Sequence, residues 1–168
     1  MTESTTELRF SNELEARYAE MLPHYPAKRS ILVPFLLYIQ DELGYLTPEA
    51  IAEVARRLEL TELEVRGVLS YYSMLRTEPA GRYHVQVCTN ICCKLRGGEQ
   101  ILRHVRERLG IKANKGVTPD GRFSVEEVEC IGACSWAPAM QVNYDFFEEL
   151  TEEKTDAVLE EYRSKDKG

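Results

Sequence analysis

Five cysteines carry most of the chemistry this sequence can offer, and they fall in two short segments. Cys88, Cys92 and Cys93 form the first, and Cys130 and Cys134 the second. An odd number of thiols gathered in this way argues against a disulfide framework. Thiolates from two loops can instead surround one metal centre. Adjacent side chains rarely converge on one small centre, so Cys92 and Cys93 are poor co-ligands. The preferred set is therefore Cys88, Cys93, Cys130 and Cys134, with Cys92 spare.

Structural zinc sites also use four cysteines, commonly as tight pairs with about two to four intervening residues. The gaps here, Cys88 to Cys93 and Cys130 to Cys134, lie at the loose end of that range. A [2Fe–2S] cluster is larger than a single ion and takes four thiolates, so wider pairs suit it better. Spacing thus favours iron–sulfur over zinc and leaves zinc open. A redox dithiol ranks third, because no C-x-x-C is present. Among the flanks, Lys94 and Arg96 could attend an anionic centre, and Gly97-Gly98 opens a helix whose amides carry partial positive charge. For each cation singly, a solvated basic turn is the plainer reading. Gly132 could let a backbone amide approach sulfur, or could simply make a turn.

The elements that must position these thiols differ between the two halves. Residues 10–76 read as four short helices. Leu14, Ala16, Tyr18 and Met21 give the first a loose stripe, and the second runs from about Ser30 to Leu43 with Pro34 near its start. Thr47-Pro48 reads as a cap followed by proline at the first helical position, with Ile51, Val54, Ala55 and Leu58 on one face. Thr61 with Glu64 is a capping box ahead of Val65, Val68, Leu69 and Tyr72. Phe35, Leu36, Leu37, Tyr38, Tyr71 and Tyr72 offer more apolar surface than four short helices need for themselves.

The texture changes at Thr77-Glu78-Pro79-Ala80-Gly81. Tyr83, Val85 and Val87 alternate with His84 and Gln86 in a strand that runs into Cys88. A helix follows from about Glu99 to Leu109. After the turn Thr118-Pro119-Asp120-Gly121, a strand spans Phe123 to Glu129, with a bulge expected at Glu126-Glu127. Ala139 to Asn143 and Asp145 to Glu149 read as further strands, and Thr151 caps a last helix carrying Val158, Leu159 and Tyr162. The fold class is α+β, with a helical bundle over 1–78 and a β-α-β-β-α domain over 79–168. Residues 1–8 and 164–168 are expected to fray. Both cysteine clusters start where a strand ends, so one sheet edge could bring them together. His24, His84 and His104 are each expected at the surface, and none belongs to an acid–base site.

Composition narrows the function. A chain of 168 residues with 43% hydrophobic and 29% charged residues is an ordinary globular protein. Its net charge of −7 makes it a poor nucleic-acid binder. The longest apolar run, Ile31 to Ile39, is well short of the ~20 residues of a membrane span. The acidic start lacks a secretory or transit signal, so a cytoplasmic location without direct membrane insertion is expected. No G-x-G-x-x-G or Walker A loop is present.

The segments Cys88-Thr-Asn-Ile-Cys-Cys93 with Leu95-Arg96-Gly97-Gly98, and Glu129-Cys130-Ile-Gly-Ala-Cys134 with Ala137-Pro138, resemble one family. It is the thioredoxin-like [2Fe–2S] ferredoxin subunit of the NADH dehydrogenase module of respiratory complex I, the family of NADH-quinone oxidoreductase E subunits. Ser70-Tyr71-Tyr72-Ser73-Met74, Pro79-Ala80-Gly81 and Gln40, Gly44, Tyr45 and Leu46 extend the likeness over roughly residues 26–150. The chain departs from the pattern at Cys92, often proline, and at the bulky Ser135-Trp136. The resemblance implies a thioredoxin-like domain holding one [2Fe–2S] cluster on Cys88, Cys93, Cys130 and Cys134. It implies electron exchange with FMN on a partner flavoprotein subunit that also binds NADH, so FMN and NADH are expected on the partner only. It places the chain in the larger complex I assembly, peripheral on the inner face of the cell membrane. The alternative is the equivalent diaphorase subunit of an NAD-linked hydrogenase or formate dehydrogenase.

Overall fold

The computed structural model describes residues 8–113 and 115–165, in two compact units divided between Pro79 and Ala80. In the first unit the helices are α1 (Asn12–Met21), α2 (Leu32–Leu43), α3 (Pro48–Leu58) and α4 (Glu62–Tyr71). Their starts follow from local chemistry. Ser11 accepts from the Leu14 amide, Thr47 from the Ala50 amide, and Thr61 with Glu64 forms both halves of a capping box. A tight turn over Lys28–Ile31 precedes α2, which places Pro34 in its first turn, where its missing N–H breaks no helical bond.

The core of this unit gathers Leu14, Ile31, Phe35, Leu36, Ile39, Leu46, Ile51, Val54, Leu58, Val65 and Leu69. The expected stripe on α1 is thinner than its sequence suggests. Only Leu14 is buried, Ala16 is exposed, and Tyr18 and Met21 are half-buried. Of the surplus apolar residues, Phe35 and Leu36 are internal, Leu37 and Tyr38 half-buried, and Tyr71 and Tyr72 exposed. Two polar clamps complete the unit. Arg57 joins α1 to α3 by ion pairs to Glu15 (2.6 Å) and Glu53 (2.5 Å). Buried Gln40 donates to the Met74 carbonyl (3.0 Å) and accepts from the Arg76 amide (2.6 Å), fixing the segment that follows α4.

The second unit is a five-stranded sheet in the order β2-β3-β1-β4-β5. The strands are β1 (Tyr83–Cys88), β2 (Lys115–Val117), β3 (Phe123–Val128), β4 (Met140–Val142) and β5 (Asp145–Phe147). The helices are α5 (Ile91–Leu95), α6 (Gly98–Leu109) and α7 (Glu152–Ser164). Tyr83, Val85, Val87, Phe123, Val125, Met140 and Val142 form one sheet face, packed against Ile101, Leu102 and Val105 of α6 and Val158, Leu159 and Tyr162 of α7. Strands β1 and β3 are parallel; the other pairings are antiparallel.

Four points of the sequence reading need correction. Helix α5 and strand β2 were not foreseen, because five and three residues are too few to show a period. No bulge interrupts β3, whose register with β1 is continuous from Tyr83↔Phe123 to Cys88↔Val128. The polar residue that mimicked a slip, Glu126, is buried and bonded to His84. His84 itself is only 6% exposed, its ring placed between Ser124 Oγ (2.8 Å) and Glu126 Oε2 (3.1 Å). A buried histidine with both nitrogens partnered is stable where alternation alone pointed to solvent. His104 is half-buried and bonded to Asp156 at 2.8 Å. Of the expected frayed ends, 1–7 and 166–168 lie outside the described residues. Leu8 packs half-buried against the helical core, and Ser164 ends α7.

Candidate metal centre

Parallel pairing of β1 and β3 sets Cys88 level with Val128, so the chain leaves both strands at one sheet edge. Cys88 closes β1, and its amide donates to the Ala139 carbonyl at 3.2 Å. The Thr89 amide then donates to the Val128 carbonyl at 3.2 Å, tying the two loop bases together. Asn90 caps α5 through its side chain, and that helix carries both Cys92 and Cys93. Cys93 turns inward and is 2% exposed, as is Cys88. Gly98, the first residue of α6, makes this arrangement possible. A Cβ there would lie 2.7 Å from the Cys88 carbonyl oxygen and 2.9 Å from Cys93 backbone atoms. Only a residue without a Cβ lets α6 start this close to both.

The second loop leaves β3 through Glu129 and reaches Cys130, which is exposed. Gly132 adopts φ +83° and aims its amide at Cys130 Sγ, 3.4 Å away. Cys134, also exposed, opens a short turn that ends at Trp136, and a cis Ala137–Pro138 peptide leads to β4. Ala133, Ala137 and Ala139 are buried around Cys88 and Cys93, with Cys92, Val128 and Ile131 at their margin. Small side chains thus line the inner wall.

The sulfurs meet in two groups. Cys93 lies beside Cys88, and Cys134 is in contact with Cys92 and Cys130. Burial pushes the Cys93 thiol up to about 11, helped by the Cys88 contact, while an Ala139 backbone contact works the other way. Cys134 is also raised, chiefly by its contact with Cys92. A metal takes these ligands as thiolates, so loading it releases their protons. Among the described residues, no three His, Cys, Asp or Glu side chains gather around a single-ion position. Two groups of thiols at one edge, walled by alanines, can supply the four thiolates that a two-iron cluster takes.

All four expected ligands are brought to this edge. So is Cys92: the adjacent thiols do diverge, Cys93 toward Cys88 and Cys92 toward Cys134, but Cys92 does not leave the neighbourhood. Lys94 pairs with Glu99 at 2.7 Å, and Arg96 is exposed, so the basic turn is solvated. Trp136, two residues after Cys134, is 54% exposed, and Ile91 (67%) and Leu95 (80%), which flank Cys92 and Cys93, are exposed as well. Sequence reasoning missed Ala139, whose carbonyl and amide serve Cys88 and Cys93, and the packing role of Gly98. The double glycine was the available signal for the latter; nothing marked the former.

Comparison with known proteins places this geometry. The profile of the family described as thioredoxin-like [2Fe-2S] ferredoxin matches residues 18–163. The NADH-quinone oxidoreductase E-subunit 2 of Rhizobium meliloti is 40% identical over 90% of this chain and 88% of its own length. NADH-quinone oxidoreductase subunit 2 of Thermus thermophilus is 42% identical over 87% of this chain and 80% of its own. Among solved structures, a chain of an NAD+-reducing [NiFe]-hydrogenase superposes with a TM-score of 0.69 at 23% identity. The match covers 81% of this chain but 23% of the hydrogenase chain, and it establishes a shared fold.

Proposed function

The chain belongs to the thioredoxin-like [2Fe-2S] ferredoxin family, among the E subunits of NADH-quinone oxidoreductase, and from that premise we propose that Cys88, Cys93, Cys130 and Cys134 hold its [2Fe–2S] cluster and exchange electrons through it with a flavoprotein partner. The observation that carries this reading is the meeting of both cysteine loops at the β1–β3 edge. The cluster supplies a one-electron carrier. The chain supplies the rest. Cys88 and Cys93 offer buried sulfurs fixed by the ends of β1 and α5, and Cys130 and Cys134 offer exposed ones. The alanine wall keeps water from the inner pair, and the amides of Ala139 and Gly132 face sulfur on each side. Residues 79–168 serve as the cluster-bearing domain and 1–78 as a helical domain joined to it.

The relatives are named as subunits, which supports work inside a larger oxidoreductase assembly. We assign FMN and NADH to the partner flavoprotein. Exposed Ile91, Leu95 and Trp136, close in sequence to the ligands, are suited to contact with it. No helix among the described residues is long and apolar enough to cross a membrane. Attachment at the inner membrane face would come through the complex. The hydrogenase likeness keeps a diaphorase host as the second reading, while relatives near 40% identity favour complex I. The test is co-expression with the flavoprotein subunit of the same host. NADH should reduce the cluster, read by EPR, in the complex and not in the isolated chain. Failure of the two proteins to associate would overturn the reading.

A further inference from the structure

We propose that the backbone amide of Gly132 tunes the reduction potential of the centre by donating to the Cys130 sulfur, and that Gly132 is a glycine for this reason. The inference rests on the ligand reading above and names a positioning residue within it. The amide lies 3.4 Å from Cys130 Sγ. An added Cβ at Gly132 would meet nothing within 4 Å, so space does not demand glycine. The backbone does: φ is +83°, a conformation that side-chain-bearing residues rarely adopt. The strained conformation and the amide's aim are one feature. A residue that relaxes to negative φ must turn the preceding peptide or displace Cys134, two positions on.

The chemistry follows from charge. A thiolate ligand carries negative charge that reduction increases, and an N–H dipole aimed at sulfur stabilises it. The donor is part of the backbone and needs no reorganisation when the charge arrives. The contrast lies at Cys88, whose sulfur faces the Glu129 carbonyl at 3.8 Å and serves there as a thiol donor. As a thiolate it would face an acceptor, so the exposed Cys130 end tolerates added negative charge better than the Cys88 end. The Ala139 amide at Cys93 is held between Cys88 and β4 and is not set by a positive φ.

The test uses the cluster-loaded chain, its Gly132→Ala variant and its Gly132→Asn variant, since asparagine tolerates positive φ. Gly132→Ala should shift the midpoint potential to more negative values with cluster content retained, and Gly132→Asn should stay near the natural value. With glycine alone labelled by 15N, the reduced natural chain should show a hyperfine coupling whose Gly132 component is lost in Gly132→Asn. That second readout stands even if the alanine variant fails to load. Equal potentials in the loaded alanine and natural chains, or a glycine-15N coupling that is undiminished in Gly132→Asn, would overturn the proposal. Absence of a cluster from the natural chain would instead sink the ligand reading beneath it.

Discussion

Gly98→Ala asks whether α6 holds the inner cysteine pair in place. The new Cβ would sit 2.7 Å from the Cys88 carbonyl oxygen and 2.9 Å from the Cys93 carbonyl group, where ordinary contact begins at 3.4 Å. Every clashing atom is backbone, so no side chain can swing aside. Either α6 or the loop bearing Cys88 and Cys93 must move by roughly 0.5–0.7 Å, an overpacking strain of about 1–3 kcal/mol. Helix propensity returns at most about 1 kcal/mol, less at a first position. The net is a loss of up to about 3 kcal/mol, concentrated at two ligands. Gly67→Ala is the control. That glycine lies in α4 with nothing within 4 Å and an ordinary helical φ, so alanine should stabilise by about 0.5–1 kcal/mol. Thermal unfolding of the loaded proteins, with the rate of iron loss to a chelator, reads both. Gly98→Ala should lose iron faster and melt lower, and Gly67→Ala should do neither. A Gly98→Ala protein matching the natural chain in both would refute the packing argument.

Cys93→Ala should lose or badly destabilise the cluster while Cys92→Ala retains it, read from the visible spectrum and iron content; the reverse pattern would show the ligand register to be wrong. Arg56 and Arg57 hold the Glu53 carboxyl below the usual carboxylate range. That stabilisation is present above the unfolded value of 4.5 and is lost as pH falls through the lower folded value, so the urea midpoint should drop between about pH 5 and pH 3. Glu53→Gln should flatten that drop, and an unchanged slope would remove Glu53 from the acid response. The isolated, flavin-free chain should show no NADH–ferricyanide activity; a measurable rate would end the carrier reading.

The parts of the fold legible in the sequence were those with strong local chemistry. Thr47-Pro48, the Thr61–Glu64 box and the Tyr83–Val87 alternation each name a boundary or a face without help from distant residues. The convergence of the two cysteine loops was legible because both follow strands, although only the parallel register puts Cys88 opposite Val128. What escaped was nonlocal or too short. Glu126 read as a break in alternation because its partner, His84, sits forty-two positions earlier on the neighbouring strand. Strand β2 has three residues and gains its identity only by pairing with β3. At the centre, adjacency to Cys93 argues against Cys92, and its contact with Cys134 arises from the path of the second loop, which no spacing rule encodes.

Iron and acid-labile sulfide analysis of the chain, purified anaerobically from its native host, tests the central claim most directly. Four cysteines meeting at one sheet edge predict about two iron and about two sulfide per chain, with an S = 1/2 EPR signal on reduction. Stoichiometric zinc with no sulfide would contradict the account.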